Sequence, residues 1–260
     1  MTIVKQFLQA LAQHQYEEAT RHFERLQKTT FKHFQASHFG QEISKLRRLY
    51  KETNANEVLV FAEQLASMAV NAFPQQSFLT QQYGWVLYDR YMKPRDIAAM
   101  RKIEIGERIL QMTAQGTYSP FEATLWRLLP LYEQRSIEQA YALLQRLNRQ
   151  ALSRDTRKIM LHGQAVIQPS SREKYYCATI DYTWTLAQYK ACYRACYEFL
   201  YTSGVTVQQK LPLFQKMVRC LVIEQREAEA MTFAQALARE KDAYAVLVTD
   251  VEQAMMQRKK

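Results

Sequence analysis

Apolar residues recur along the chain at three- and four-residue spacing, the pattern of an α-helix with one buried face. Runs that alternate apolar and polar residues are short, and no Asn-Gly or Asp-Gly turn joins two of them. The pattern predicts about thirteen to fifteen helices of ordinary length and no sheet.

Four segments carry the sequence of a helix start. In Ser119-Pro120-Phe121-Glu122, a serine caps the helix, a proline occupies the first turn and a glutamate reaches back to the cap. The same box recurs at Ser136-Ile137-Glu138-Gln139, Ser170-Ser171-Arg172-Glu173 and Thr206-Val207-Gln208-Gln209. Gly116 and Ser203-Gly204 are predicted helix stops. We predict one helical array over residues 1–260, with a subdivision near 116–119 or 168–171 as the alternative.

Small residues recur at helical spacing, each time after another amphipathic segment. They are Ala19, then Ala62, Ala66 and Ala69, then Ala140, then Cys192 and Cys196, and finally Ala230 and Ala234. A small side chain lets a second helix lie close against the one before it. The pattern therefore predicts successive antiparallel helix pairs, with one further pair, lacking a recognisable anchor, between Ala62 and Ala140.

The segment from Phe78 to Tyr88, with Tyr83-Gly84 and then Leu87-Tyr88, resembles the first helix of a tetratricopeptide repeat. Pro74 stands where such a repeat ends. The spacing is irregular and longer than the tetratricopeptide period of about 34 residues. The resemblance implies an all-α fold of antiparallel helix pairs stacked as a tetratricopeptide-like right-handed α-solenoid; other α-solenoid or bundle packings stay open.

The same resemblance implies a function. Tetratricopeptide proteins bind a peptide or helix of a partner on a concave face, and the chain's positions on that face would be Gln81, Trp85, Tyr88 and Asp89. Apart from the resemblance, Trp184 with Arg172 and Lys174 predicts a second polar-aromatic surface in the C-terminal half, suited to an acidic peptide or to single-stranded nucleic acid. Tyr83-Gly84-Trp85-Val86-Leu87-Tyr88 and Ser171-Arg172-Glu173-Lys174-Tyr175-Tyr176 also resemble segments of helical-repeat proteins of bacterial defence systems. We expect a non-catalytic scaffold or adaptor for another protein, in a bacterial defence or regulatory system.

The charge distribution supplies an alternative function. The chain carries 35 Lys and Arg against 25 Asp and Glu, a net charge of +10. The excess is concentrated in two stretches: Lys45, Arg47, Arg48 and Lys51, and then Arg146, Arg149, Arg154, Arg157, Lys158, Arg172 and Lys174. Such clusters are either solvated helix faces or contacts to phosphates. The alternative is therefore an accessory protein that binds nucleic acid.

Catalytic motifs are nearly absent. With six glycines and no Gly-Lys-Ser or Gly-x-Gly-x-x-Gly string, the sequence contains no phosphate-binding loop, and we expect no enzyme activity and no cofactor. The exception is the spacing of Arg157 and His162, which resembles the motif of HEPN-type ribonucleases and implies RNA cleavage as a second alternative. Cys192 and Cys196 occupy small-residue packing positions, and no second ligand pair accompanies them, so we predict no metal site.

The ends of the chain bear on location and assembly. The first residues lack the apolar centre of a signal peptide, and no stretch of about 18 uncharged apolar residues occurs. We therefore expect a cytoplasmic protein with reduced cysteines and no membrane partner. The apolar run Ala243 to Val251 offers a surface for a homodimer.

Overall fold

A computed structural model of the chain describes residues 3–113, 119–161, 164–201, 205 and 207–258. Within these residues the fold is all-α, with thirteen α-helices and one short β-hairpin. The helices are α1 Ile3–Ala12, α2 Tyr16–Thr29, α3 Ala36–Thr53, α4 Asn56–Ala72, α5 Ser77–Leu87, α6 Ala99–Met112, α7 Pro120–Glu133, α8 Ile137–Leu144, α9 Ser171–Thr185, α10 Tyr189–Leu200, α11 Val207–Ile223, α12 Glu227–Glu240 and α13 Val246–Arg258. A π-helical turn, Tyr88–Met92, extends α5.

The chain divides into two compact units, Met1–Leu131 and Tyr132–Lys260. The division falls inside α7, away from both positions, 116–119 and 168–171, that the sequence analysis considered. Helices pack mainly against their neighbours in sequence: α1 against α2, α3 against α4 and α4 against α5 in unit 1, and α9 against α10 and α10 against α11 in unit 2.

The small residues lie where the pattern placed them. Every one of the nine anchors is buried with no exposed surface, and all of them lie on even-numbered helices: α2, α4, α8, α10 and α12. The pair without a recognisable anchor is α5 and α6. Its small residue is Gly106 of α6, where a Cβ atom would lie 2.7 Å from Leu128 Cδ2. Gly84 of α5 has the same role, since its Cβ atom would lie 2.6 Å from Thr113 Cγ2.

In the core of unit 1, the first helices pack against each other through aromatic rings. Phe7, Phe23 and Phe61 come from α1, α2 and α4, and their ring centroids lie 5.3 to 5.5 Å apart. Unit 2 has two clusters of buried residues. One joins α9, α10 and α11 around Ile180, Cys196 and Met217, and the other joins α11, α12 and α13 around Leu221, Ala234 and Leu247.

Three predicted helix starts are confirmed by their capping bonds. The hydroxyls of Ser119, Ser136 and Ser170 accept hydrogen bonds from the backbone N–H groups of Glu122, Gln139 and Glu173, at 3.3, 3.2 and 3.1 Å. The fourth predicted cap, Thr206, and the predicted stops at Gly116 and Ser203-Gly204 lie outside the described residues.

The structure contains one β-hairpin, whereas the sequence pattern predicts no sheet. Strands β1, Arg157–Leu161, and β2, Gln164–Gln168, pair antiparallel, with Arg157 opposite Gln168 and Leu161 opposite Gln164. Strands of five residues are too short for an alternating pattern to stand out from the helical background. No helix in the described part of the chain has both the length and the apolar character needed to cross a bilayer.

Candidate functional site

A cavity of about 570 Å³ lies in unit 2 between the end of α9, α11 and α13. Trp184, which the sequence analysis assigned to partner binding, forms one wall. Its indole is held in place by Lys216, whose Nζ lies 5.1 Å from the ring centroid, and by Tyr189, whose ring meets it edge-on at 5.4 Å. The remaining walls are formed by Arg219, Val222, Ile223, Asp250, Gln253, Ala254 and Gln257.

The cavity combines apolar surface with two charged side chains of opposite sign, Arg219 and Asp250. Ile223 is 41% exposed although it is a large aliphatic residue. Asp250 accepts a hydrogen bond from Gln215 Nε2 at 2.8 Å, and Lys216 lies 3.6 Å from Asp181. Arg219 is exposed, and no acidic side chain among the described residues lies within ion-pair distance of it. The cavity is therefore lined by an indole, an aliphatic side chain, a guanidinium and a carboxylate.

Sequence reasoning identified Trp184 and missed the other walls. Arg219 and Ile223 belong to α11, and Gln253 belongs to α13, so these side chains meet Trp184 only through tertiary packing. One sequence signal could have indicated this surface: Ile223 is an apolar residue just before the polar stretch Glu224-Gln225-Arg226.

A second group of functional candidates surrounds Asp89 in unit 1. Asp89 is fully buried in the π-helical turn. Arg47 of α3 donates hydrogen bonds from Nε and Nη2 to its Oδ2 atom, at 2.9 and 2.7 Å, and Lys93 Nζ lies 2.5 Å from Oδ1. The Arg47 guanidinium carbon also lies 5.4 Å from the centroid of the Trp85 ring. These contacts join α3 to the end of α5.

This arrangement corrects part of the predicted groove. Asp89 and Tyr88 are buried, and the Tyr88 hydroxyl accepts a hydrogen bond from Arg127 Nε at 3.4 Å. Both side chains are therefore committed to internal contacts and are not presented to a partner. Gln81 and Trp85 are half-buried, so they keep part of their surface. Arg47 and Asp89, which the sequence pattern assigns to separate sites, form one ion pair.

In the first basic cluster, two residues form ion pairs with acidic side chains and two are exposed without such a partner among the described residues. Arg47 is bound to Asp89, and Lys45 Nζ lies 2.6 Å from Glu42 Oε1. Arg48 and Lys51 are exposed on α3. Lys45 and Arg48 also line a cavity of about 560 Å³ whose other lining residues are Ser37, Gly40, Gln41, Ser44, Phe78 and Gln82.

The second basic cluster is partly neutralised. Arg149 Nη1 lies 2.7 Å from Glu198 Oε2, and Arg172 Nη2 donates to the Arg149 carbonyl at 3.3 Å. Arg146 is half-buried, whereas Arg154 and Lys174 are exposed. Arg157 and Lys158 lie on β1, and their side chains are outside the described part of the structure. His162, the other residue of the ribonuclease-like motif, is also outside it.

Three of the four cysteines lie together in a cluster of buried thiols. Cys192 and Cys196 of α10 and Cys220 of α11 are buried together, and the Cys192 thiol donates to the Ile180 carbonyl at 3.6 Å. Hydrogen bonds with Cys196 and Cys220 lower the pKa of Cys192, and those with Cys192 raise the pKa of the other two. Among the described residues, no group of three or more His, Cys, Asp or Glu side chains is arranged to hold a metal ion.

Comparison with known proteins adds no family to this description. No protein-family model matches the chain, and no curated protein matches it significantly.

Proposed function

We propose that the chain is a non-catalytic scaffold that binds a segment of another protein, with the Trp184 cavity as the binding site. The observation that carries the proposal is the half-buried Trp184 indole beside the exposed Ile223 and Arg219 side chains, around a cavity of about 570 Å³. Trp and Arg are the residues most often found at the energetic centre of protein interfaces. The packing of Lys216 and Tyr189 against Trp184 restricts the indole before a partner arrives, which lowers the entropic cost of binding.

The fold supports the same proposal. Helix pairs with small residues on the second helix are the building units of tetratricopeptide-like solenoids, and we propose that the helix pairs within each unit stack in this manner. Such stacks bind extended peptides or single helices in the grooves between helices. The resemblance of Tyr83–Tyr88 and Ser171–Tyr176 to defence-associated repeat proteins supports a role in a bacterial defence or regulatory system.

The test is a pull-down from cells of the source organism with three tagged proteins: the wild type, Trp184→Ala and Arg239→Ala. Arg239 is an exposed residue of α12 that does not line the cavity, so its replacement is the matched control. We expect one protein in near-equal amount with the wild type and with Arg239→Ala, unaffected by nuclease, and its loss with Trp184→Ala. Equal recovery with a correctly folded Trp184→Ala protein would refute the cavity as the site.

A second candidate function is nucleic-acid binding through unit 1. The observation that favours it is the pair of exposed cations on α3, Arg48 and Lys51, for which the described residues supply no acidic partner. Cations of this kind contact phosphates and release counterions, so the affinity for nucleic acid would fall steeply as salt is added. In the pull-down, this function would appear as nucleic acid, or as proteins that nuclease removes.

A further inference from the structure

One face of α3 and one face of α5 form a groove that is separate from the Trp184 cavity. Ser37, Gln41, Ser44 and Arg48 follow each other at helical spacing on α3, and all of them line the cavity of about 560 Å³. Phe78 and Gln82 of α5, four residues apart, form the opposite side. The groove therefore runs along α3, with polar side chains on one wall and an aromatic ring on the other.

The Phe78 ring is held against the backbone of α3. A Cβ atom added at Gly40 would lie 2.8 Å from Phe78 Cε2, so only a glycine at position 40 leaves room for the ring in this position. Glycine inside a helix is unfavourable by about 1 kcal/mol relative to alanine, and close packing of the ring offsets part of this cost. Even so, Phe78 is 40% exposed. One aromatic surface is thus fixed in place and open to solvent.

The polar groups near the ring include a positive charge and an unused acceptor. Arg48 is exposed, and the described residues contain no acidic partner for it. Gln82 donates from Nε2 to Ser44 Oγ at 3.1 Å, while its Oε1 atom is buried and accepts no hydrogen bond within the described structure. Because that atom is buried, it is not presented to a ligand in the groove, and Arg48 is the exposed polar group beside the ring.

We propose that this groove binds a single-stranded nucleic acid, with a base stacked on Phe78 and a phosphate paired with Arg48. Stacking platforms beside cations are the usual means of binding single strands. Duplex bases are already stacked and have no free face for Phe78. An acidic peptide would pair with Arg48 through charge alone, and polyglutamate tests it below as a competitor. The proposal rests on the second candidate function and specifies its site.

The experiment measures the binding of fluorescein-labelled single strands of about ten cytidines or ten thymidines by fluorescence anisotropy, at several salt concentrations. The proteins are the wild type, Phe78→Ala, Phe78→Trp, Arg48→Gln and the control Arg239→Gln, which removes one exposed positive charge elsewhere. We expect Phe78→Ala to weaken binding about tenfold or more, with Phe78→Trp close to the wild type. Arg48→Gln should reduce the salt slope by about 0.7, the value for one phosphate of a single strand.

Three results would overturn the proposal, and they separate it from the function on which it rests. If the wild type binds no strand, both nucleic-acid binding and this site fail. If the wild type binds and folded Phe78→Ala binds equally well, the site fails while the function stands. If a duplex binds as tightly as the single strand, or polyglutamate of equal charge displaces it equally well, the groove recognises charge alone and stacking is excluded.

Discussion

Arg47 and Asp89 form a two-hydrogen-bond ion pair between helix α3 and the π-helical turn that follows α5. The carboxylate of Asp89 has no exposed surface, whereas the side chain of Arg47 keeps 20% of its surface in solvent. The cost of breaking the pair is therefore unequal. Removing the arginine leaves a charge inside the protein, while removing the carboxylate leaves a guanidinium that can still reach water.

We predict that Arg47→Met lowers the free energy of unfolding of unit 1 by about 3 kcal/mol, because Lys93 alone remains beside the buried carboxylate. Asp89→Asn should have a smaller effect. The double variant Arg47→Met/Asp89→Asn should recover much of the loss, since it leaves no buried charge without its partner. Urea unfolding of the three variants is the measurement. A loss in the double variant equal to the sum of the single losses would contradict this account.

The contact at Ala62 gives a second prediction. Ala62 of α4 is completely buried between neighbouring helices, and Ala62→Leu adds three carbon atoms to a filled space. We expect a loss of stability on the order of 1–3 kcal/mol from overpacking. Ala72→Leu, at the exposed end of the same helix, is the control and should change stability by less than about 0.5 kcal/mol. Thermal and urea unfolding measure both, and a neutral Ala62→Leu would remove support for close pairing of α4.

The cap of α9 gives a third prediction. Ser170 is 5% exposed, and its hydroxyl accepts a hydrogen bond from the Glu173 N–H group. Ser170→Ala should cost about 1 kcal/mol, because it leaves a backbone donor at the helix start without its partner. Ser170→Asp should restore most of the stability, since aspartate also caps. Ser171→Ala, inside the first turn, should have little effect, and equal losses at the two serines would argue against capping.

Cys177 gives a prediction about pH. The residue as a whole is exposed, but partial burial of its thiol raises its pKa to about 11, and the neighbouring charges of Glu173 and Asp181 act in the same direction. The raised pKa keeps the thiol protonated in the folded protein between its ordinary range near pH 9 and pH 11, so the fold loses stability as the pH rises through this window. Because the thiolate is the nucleophile, alkylation should be slow at pH 8 and speed up toward pH 11.

Iodoacetamide labelling followed by mass spectrometry checks this expectation, with the urea-unfolded protein as the reference for an accessible thiol. Cys177→Ser should abolish the labelling of the folded protein, since Cys192, Cys196 and Cys220 are buried. Labelling of folded Cys177 at pH 8 as fast as in the unfolded chain would show that its pKa is not raised.

The amino-acid sequence by itself determined the local structure. Helical spacing of apolar residues, three serine caps and the small residues from Ala19 to Ala234 predicted an all-α fold of closely packed pairs, because these signals depend on residues within one or two turns of each other. Trp184 was also singled out from local sequence alone, and its role in partner binding stays a prediction.

Only the tertiary structure decided which residues share a site. The pairing of Arg47 with Asp89, the seating of Phe78 over Gly40 and the meeting of Trp184 with Arg219 each join helices that are distant in sequence. The burial of Asp89 could not be read from the sequence, because a charged residue is buried only where the packing of other helices supplies its partner.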